Sequence, residues 1–173
     1  MAAKKGSGKR RARVTAASYR LVNALPAAKA IVRPAIAHRQ FKLPFYAPAW
    51  LTRRGRYPSS TGVARSPRLY AIADRGGHRH QAYRLVVAED ATQGQYYGIE
   101  GTSWQHPPIL DGSHSTQRMA GRSYHVYYDG AHIRLVAWHT SHGAYWVSNT
   151  LSRHLSNRSM LGIARSLTRI PGR

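Results

Sequence analysis

The stretch AYWVSNTLSRHLSNRSMLGIARSL, Ala144 to Leu167, changes its hydrophobic period partway along. Ala144 to Ser148 is aromatic and β-branched, the composition of a strand. From Met160 the apolar residues fall at Met160, Ile163, Ala164 and Leu167, the i, i+3, i+4, i+7 stripe of an amphipathic helix. Ser156 stands upstream as the N-cap, its hydroxyl placed to accept from a free backbone N–H of the first turn. A strand running into a capped helix needs a sheet against which the helix can hide its stripe, and the chain before Ala144 is expected to supply it.

It does so in a series of strand signals. Leu69–Ala73 and Gln81–Ala88 flank Asp74-Arg75-Gly76-Gly77, a hairpin connection whose glycines accept positive φ. Tyr83, Leu85 and Val87 alternate with less apolar neighbours and mark the inward face. Gln95–Trp104 is a third strand, with Gly98 and Gly101 as bulge or close-approach points. His106-Pro107-Pro108-Ile109-Leu110-Asp111-Gly112 must leave the sheet. Arg122–Tyr128 and His132–Thr140 follow around the turn signal Asp129-Gly130. In the second of these, Ile133, Leu135 and Ala137 fall on one face and Val136 and Trp138 on the other. The expected architecture is α+β, a twisted antiparallel sheet of five or six strands with the C-terminal helix packed across it and short N-terminal helices nearby.

The chain divides by composition into three. Residues 1–13, MAAKKGSGKRRAR, are basic and glycine-spaced with nothing to pack, and read as a disordered tail. Residues 14–67 read as a helical and extended Pro-rich arm. A helix is expected over Thr15–Leu25, Pro26 opens a second helix, and Pro34 kinks or ends it. Leu43–Trp50 is extended and lies against the domain, and Thr52–Pro67 is a loop. Residues 68–170 form the sheet and C-terminal helix.

Formal charge is +21, from 27 Lys and Arg against six carboxylates. Sixteen of the 27 precede position 74, where there is no acid at all, and the remaining eleven face all six acids. A head so charged attracts polyanions: nucleic acid, anionic lipid or phosphate-bearing wall polymer. The absence of cysteine excludes disulfides and thiolate metal sites. No run of 18 apolar residues occurs, and Asn23, Pro26, Lys29 and Arg33 interrupt the one segment that could serve as a signal-peptide core. Expressed as given, the chain is expected to stay in the cytoplasm.

The series LPFYAPAW, HRHQAYRLVV, QYYGIEGTSWQHPPIL, GRSYHVYYDGAHIRLVAWHTSHGAYWVSNTL and LSNRSMLGIARSL resembles, in order and spacing from about Ile31 to Leu167, the region that follows the catalytic domain in actinobacterial LytR-CpsA-Psr proteins. More weakly, the last meander and helix look like the sheet-and-helix clamp of lipoprotein-carrier-like domains. The family's catalytic domain transfers polyprenyl-linked glycopolymers to the wall. That domain precedes the matched region, so none of its arginines or aspartates carries over to a position here. The resemblance implies a non-catalytic accessory domain of the cell envelope that contacts anionic wall polymer, a membrane surface or a polyprenyl-linked ligand, with no cofactor. The alternative is a small basic nucleic-acid-associated protein.

Residue by residue, the surest interaction feature is the basic run Lys4, Lys5, Lys9, Arg10, Arg11 and Arg13. Trp104, Trp138, Trp146 and Tyr97, with Tyr96, Tyr127 and Tyr145, can line a groove for sugar rings or an apolar chain, or simply pack as strand aromatics do. Asn149 and Thr150 leave the last strand where such a groove would open, and equally suit capping and turn chemistry. His78-x-His80 and His139-x-x-His142 lack a third ligand for a metal. Glu100 and Asp111 flank Trp104 and offer the one acid/base pairing of note, although ordinary ion pairs with arginine explain them as well.

Overall fold

The computed structural model describes residues 14–37, 40–58 and 67–171. The basic run of residues 1–13, with all six of its Lys and Arg, lies outside them, as does 59–66 of the expected loop. The architecture is α+β. A seven-stranded antiparallel sheet contains β4 (Arg68–Ala73), β5 (Arg79–Asp90), β6 (Gln95–Thr102), β7 (Ser115–Met119), β8 (Arg122–Asp129), β9 (His132–Thr140) and β10 (Gly143–Ser148), in the order β4-β5-β6-β10-β9-β8-β7. Two helices, α1 (Leu25–Ile36) and α2 (Asn157–Arg165), and the short strands β1 (Val22–Asn23), β2 (Phe45–Pro48), β3 (Trp50–Leu51) and β11 (Leu167–Ile170) complete it.

The sheet therefore exceeds the five or six strands that alternation predicts. The additional strand is β7, STQRM, whose exposed and polar residues carry no apolar alternation. It forms because the tight turn at Ala120-Gly121, both at positive φ, folds it back onto β8. The turn between β8 and β9 falls one residue later than expected, on Gly130-Ala131 with Gly130 at φ 57°. Ile133 also departs from simple alternation. A register shift between Tyr127 and Tyr128 leaves Arg134 as the extra residue of β9, which turns Ile133 to the same side as Val136 and Trp138 and leaves Leu135 and Ala137 opposite.

Gly101 organises the inner face of this sheet. Its cross-strand partners are Tyr83 on β5 and Tyr145 on β10, and Tyr145 in turn pairs with Trp138 on β9. A Cβ on Gly101 would lie 2.5 Å from the Tyr83 ring and 2.6 Å from that of Tyr145, so the two rings close over a bare backbone. Tyr145 stacks on Trp138 at 5.2 Å, and Tyr46 meets both edge-on at 4.7 and 5.6 Å.

Onto this aromatic row α2 lowers Met160, Ile163 and Ala164, all fully buried. Ser156 caps it as expected, accepting from the Ser159 N–H at 3.1 Å. Leu167 is buried too, but in β11, because the helix ends at Arg165 and the chain pairs with β2.

Residues 14–58 contribute to the same core through Leu21, Ala28, Val32, Ala35, Phe45 and Leu51. A single backbone bridge, Arg56 to Ala88 of β5, and several side-chain hydrogen bonds attach this segment to the sheet. The Tyr83 hydroxyl accepts from the Tyr46 N–H (2.9 Å) and donates to its carbonyl (3.0 Å). The Gln81 amide accepts from Lys42 N–H (2.7 Å) and donates to the Gln40 carbonyl (2.7 Å). Pro26 lies in the first turn of α1, and the helix ends two residues after Pro34. The helix expected over Thr15–Leu25 is instead one 3-10 turn, Ala16–Tyr19. Arg20 ends it at φ 58°, and Val22 then pairs with Leu51, tertiary pairing overriding a weak local preference.

With helices on one face, the connection from β6, third in the sheet, to β7 at its far edge has only the other face to cross. Residues 103–114 form a strap over β10, β9 and β8. Leu110 is buried there with Tyr127, Leu135, Ala137, Ala144 and Trp146, and the Tyr127 hydroxyl donates to the Leu110 carbonyl at 2.7 Å.

Two substitutions test this account of the core. Gly101→Ala forces Cβ into two packed rings and is expected to lower unfolding free energy by about 2–3 kcal/mol in urea titration. Ser156→Ala loses one cap, about 1 kcal/mol. An unchanged midpoint for Gly101→Ala contradicts the aromatic row.

Candidate functional site

The outer face opens a cleft of about 260 Å³ at the end of the strap. Its floor is the cross-strand row of Gly98 on β6 and Ser148 on β10, with Leu135 of β9 beyond. Gly98 creates the depression. A Cβ there would come within 3.0 Å of Ser148 Oγ and 3.3 Å of Arg84 Nε, so side chains from three directions overhang a residue that has none.

Three arginines line the cleft, from β5, from the bulge in β9 and from the turn after β10. Arg153 is fixed: its Nη2 and Nε donate to Asp129 at 2.8 and 3.1 Å, and its Nη1 donates to the carbonyls of Thr150 and Leu151. Arg84 is half exposed and 3.9 Å from Glu100. Burial raises the pKa of that Glu100, with Arg84 opposing, so its negative charge is disfavoured. Arg134 has no carboxylate partner among the described residues, and its guanidinium stands 5.8 Å over the Tyr127 ring. The rim is apolar and open to solvent: Leu151 is 97% exposed, Ile109 44% and Tyr96 41%. Charged donors around a recess with apolar edges suit an anionic group carried on a larger, partly apolar or flexible body.

The structure separates the aromatic residues that the sequence groups together. Tyr97 and Asn149 border the cleft. Tyr97 is buried, however, and the Asn149 amide is fully occupied, donating to the carbonyls of Ile133 (2.8 Å) and Leu155 (3.0 Å) and accepting from the N–H groups of Thr150 and Leu155. Thr150 is likewise buried in turn chemistry, its hydroxyl accepting from His154 N–H at 2.8 Å. Trp138 and Tyr145 belong to the inner core. Trp146 is buried on the outer face beneath the strap, opposite Glu100. Trp104 stacks on His80 at 5.1 Å, at the strap's first residues. No single groove contains the three tryptophans: β9 and β10 present Trp138 and Trp146 to opposite faces, and Trp104 lies on the strap beyond the end of β6.

Glu100 faces Arg84 and Trp146 in mid-sheet, whereas Asp111 is exposed at the strap, and no contact joins them. His78 and His80 both approach Asp74, at 3.3 and 3.1 Å, and tie the β4–β5 hairpin; the His80 hydrogen bond, first among several, lowers the Asp74 pKa to about 2. His142 occupies the β9–β10 turn, and His139 lies on the outer face. Among the described residues no three of His, Asp and Glu are arranged to hold a metal ion.

Sequence reasoning did not identify Arg84, Arg134 and Arg153, since isolated arginines on polar faces look like ordinary surface. The available signal was Gly98, an unpacked residue within an aromatic strand. Comparison of the chain with family models, curated proteins and solved structures finds no match.

Filling the floor tests the cleft directly. Gly98→Val is expected to reduce binding of inorganic polyphosphate by about tenfold or more in titration calorimetry while far-UV circular dichroism stays native, because the clash involves the ends of side chains. Unaltered affinity contradicts the cleft as the site.

Proposed function

We propose that this protein is a non-catalytic binding domain for an anionic polymer or polyprenyl-linked anion, of the kind attached to LytR-like glycopolymer transferases in the cell envelope. The observation that carries the reading is the convergence of Arg84, Arg134 and Arg153 on one recess floored by Gly98. Guanidinium groups hold phosphate oxygens through charge-assisted hydrogen bonds, and Arg134, which pairs with no carboxylate among the described residues, has donors to offer a ligand. The resemblance of residues 31–167 to the LytR-CpsA-Psr accessory region supports the same reading. The basic run from Lys4 to Arg13 would add nonspecific attraction, strengthening encounter without selecting a ligand.

The nucleic-acid reading draws on the charge of +21 alone. It places the binding energy in the tail, and its mark is affinity that falls steeply with salt and disappears with residues 1–13.

The two readings separate in one experiment. Phosphate-bearing wall polymer is titrated into the full chain, into Arg134→Gln and into a chain lacking residues 1–13, each at low and moderate salt. Arg134→Gln is expected to weaken binding by about tenfold to a hundredfold, the loss of one charge-assisted contact worth about 1.5–3 kcal/mol. The tail deletion is expected to reduce the salt dependence and leave most of the affinity at moderate salt. Complete loss on deletion, with Arg134→Gln neutral, favours the nucleic-acid reading.

A further inference from the structure

Beyond the arginine cleft, four histidines stand in line along the outer face. His114 of the strap stacks on His125 of β8, with centroids 4.3 Å apart and planes at 22°. His125 lies 5.4 Å from His139 of β9, and His139 lies 6.1 Å from His106, back on the strap. Between the line and the cleft lies the buried Tyr127, whose ring is 5.1 Å from His114 on one side and under the guanidinium of the cleft residue Arg134 on the other.

We propose that this histidine line continues the anion site, making the outer face a track for a flexible, single-chain phosphate polymer that is gripped more tightly in mildly acidic conditions. The inference rests on the cleft being an anion site, and it adds the ligand's form and its pH dependence.

The groups around the line carry almost no countercharge. His125 is faced by His114 from the strap, Thr116 from β7, and Ala137 and His139 from β9. His139 is faced by His106 and the Gln105 backbone from the strap, His125 from β8 and Ala144 from β10. Among the described residues no carboxylate or guanidinium acts on either ring. Burial first, and neighbouring imidazoles second, hold both below the ordinary histidine pKa.

His125 and His139 therefore resist protonation in the unliganded chain. A depressed histidine pKa means that the folded chain binds fewer protons than the unfolded one. The stability this gives is present above about pH 6.5 and is lost as pH falls below it. A polyanion laid along the rings supplies the missing countercharge and raises their pKa values, so binding takes up protons and strengthens on acidification.

A single chain fits and a duplex does not. The cleft is recessed beside the strap and His125 is half-buried, whereas duplex phosphates sit on a rigid convex surface that cannot enter a recess.

The test uses full-length protein and long-chain sodium polyphosphate, with orthophosphate and a duplex DNA of equal phosphate content as comparisons. Calorimetry is run at about pH 7.5 and about pH 5.5 at constant ionic strength. Lys and Arg in residues 1–13 do not titrate in this window, so the tail contributes equally at both pH values.

Polyphosphate affinity is expected to rise about tenfold on acidification in the wild-type chain, and by less than about twofold in His125→Gln/His139→Gln. His106→Gln/His114→Gln, which alters only exposed strap residues, is expected to remove part of the rise and guards against misfolding of the first variant. Orthophosphate, which fills the cleft alone and itself loses charge on acidification, is expected to bind no more tightly at the lower pH.

An equal rise in all variants overturns the track. If Arg134→Gln still weakens binding at both pH values, the cleft reading survives that failure; if it does not, both fall. Duplex DNA bound as tightly as polyphosphate, with the same histidine-dependent rise, overturns the single-chain assignment.

Discussion

The contact of Tyr83 and Tyr145 over Gly101 is the constraint on which the rest of the molecule depends. Neither ring could lie flat against the sheet if β6 carried a side chain at that point. Once they do, Trp138, Tyr46 and Phe45 join an aromatic layer to which α2 and the N-terminal segment attach. Each such aromatic pair contributes about 0.5–1.5 kcal/mol beyond burial, so the inner face is the stable side of the sheet.

Closing that face determines what the opposite one becomes. The step from β6 to β7 spans four positions of the sheet, and with the inner route filled, residues 103–114 must run across the outside. A strap held by Leu110, Tyr127 and a few ring contacts cannot cover seven strands. What it leaves open is the arginine cleft at one end, with histidines along its length. Binding surface and core thus share one cause. The inner face takes most of the large apolar residues, and beyond the small apolar cluster under the strap the outer face presents arginine, histidine and glycine.

Much of this was legible in the sequence. The change of period between Ser148 and Met160, the Ser156 cap, the hairpin at Asp74–Gly77 and the close approach at Gly101 each follow from local chemistry, and each appears where expected. What escaped depends on information that a single strand does not carry. β7 has no apolar period and exists because a turn folds it back. Ile133 changes face because of a bulge set by its partner strand. Composition leaves the aromatic residues open between a groove and ordinary strand packing, and only the register of β9 against β10, which sends Trp138 and Trp146 to opposite sides, decides against one shared groove. The arginines of the cleft come from positions 84, 134 and 153, and nothing in their local sequence relates them.

The most direct test of the central claim, that the strapped face and not the helical face receives the ligand, is amide hydrogen exchange of the full chain with and without saturating polyphosphate. Slowed exchange concentrated in residues 103–114, at Arg134 and in the turn 149–153, with α2 and β2 unaffected, is the predicted result. Protection confined to residues 1–13, or appearing on α2 and β2, would contradict it.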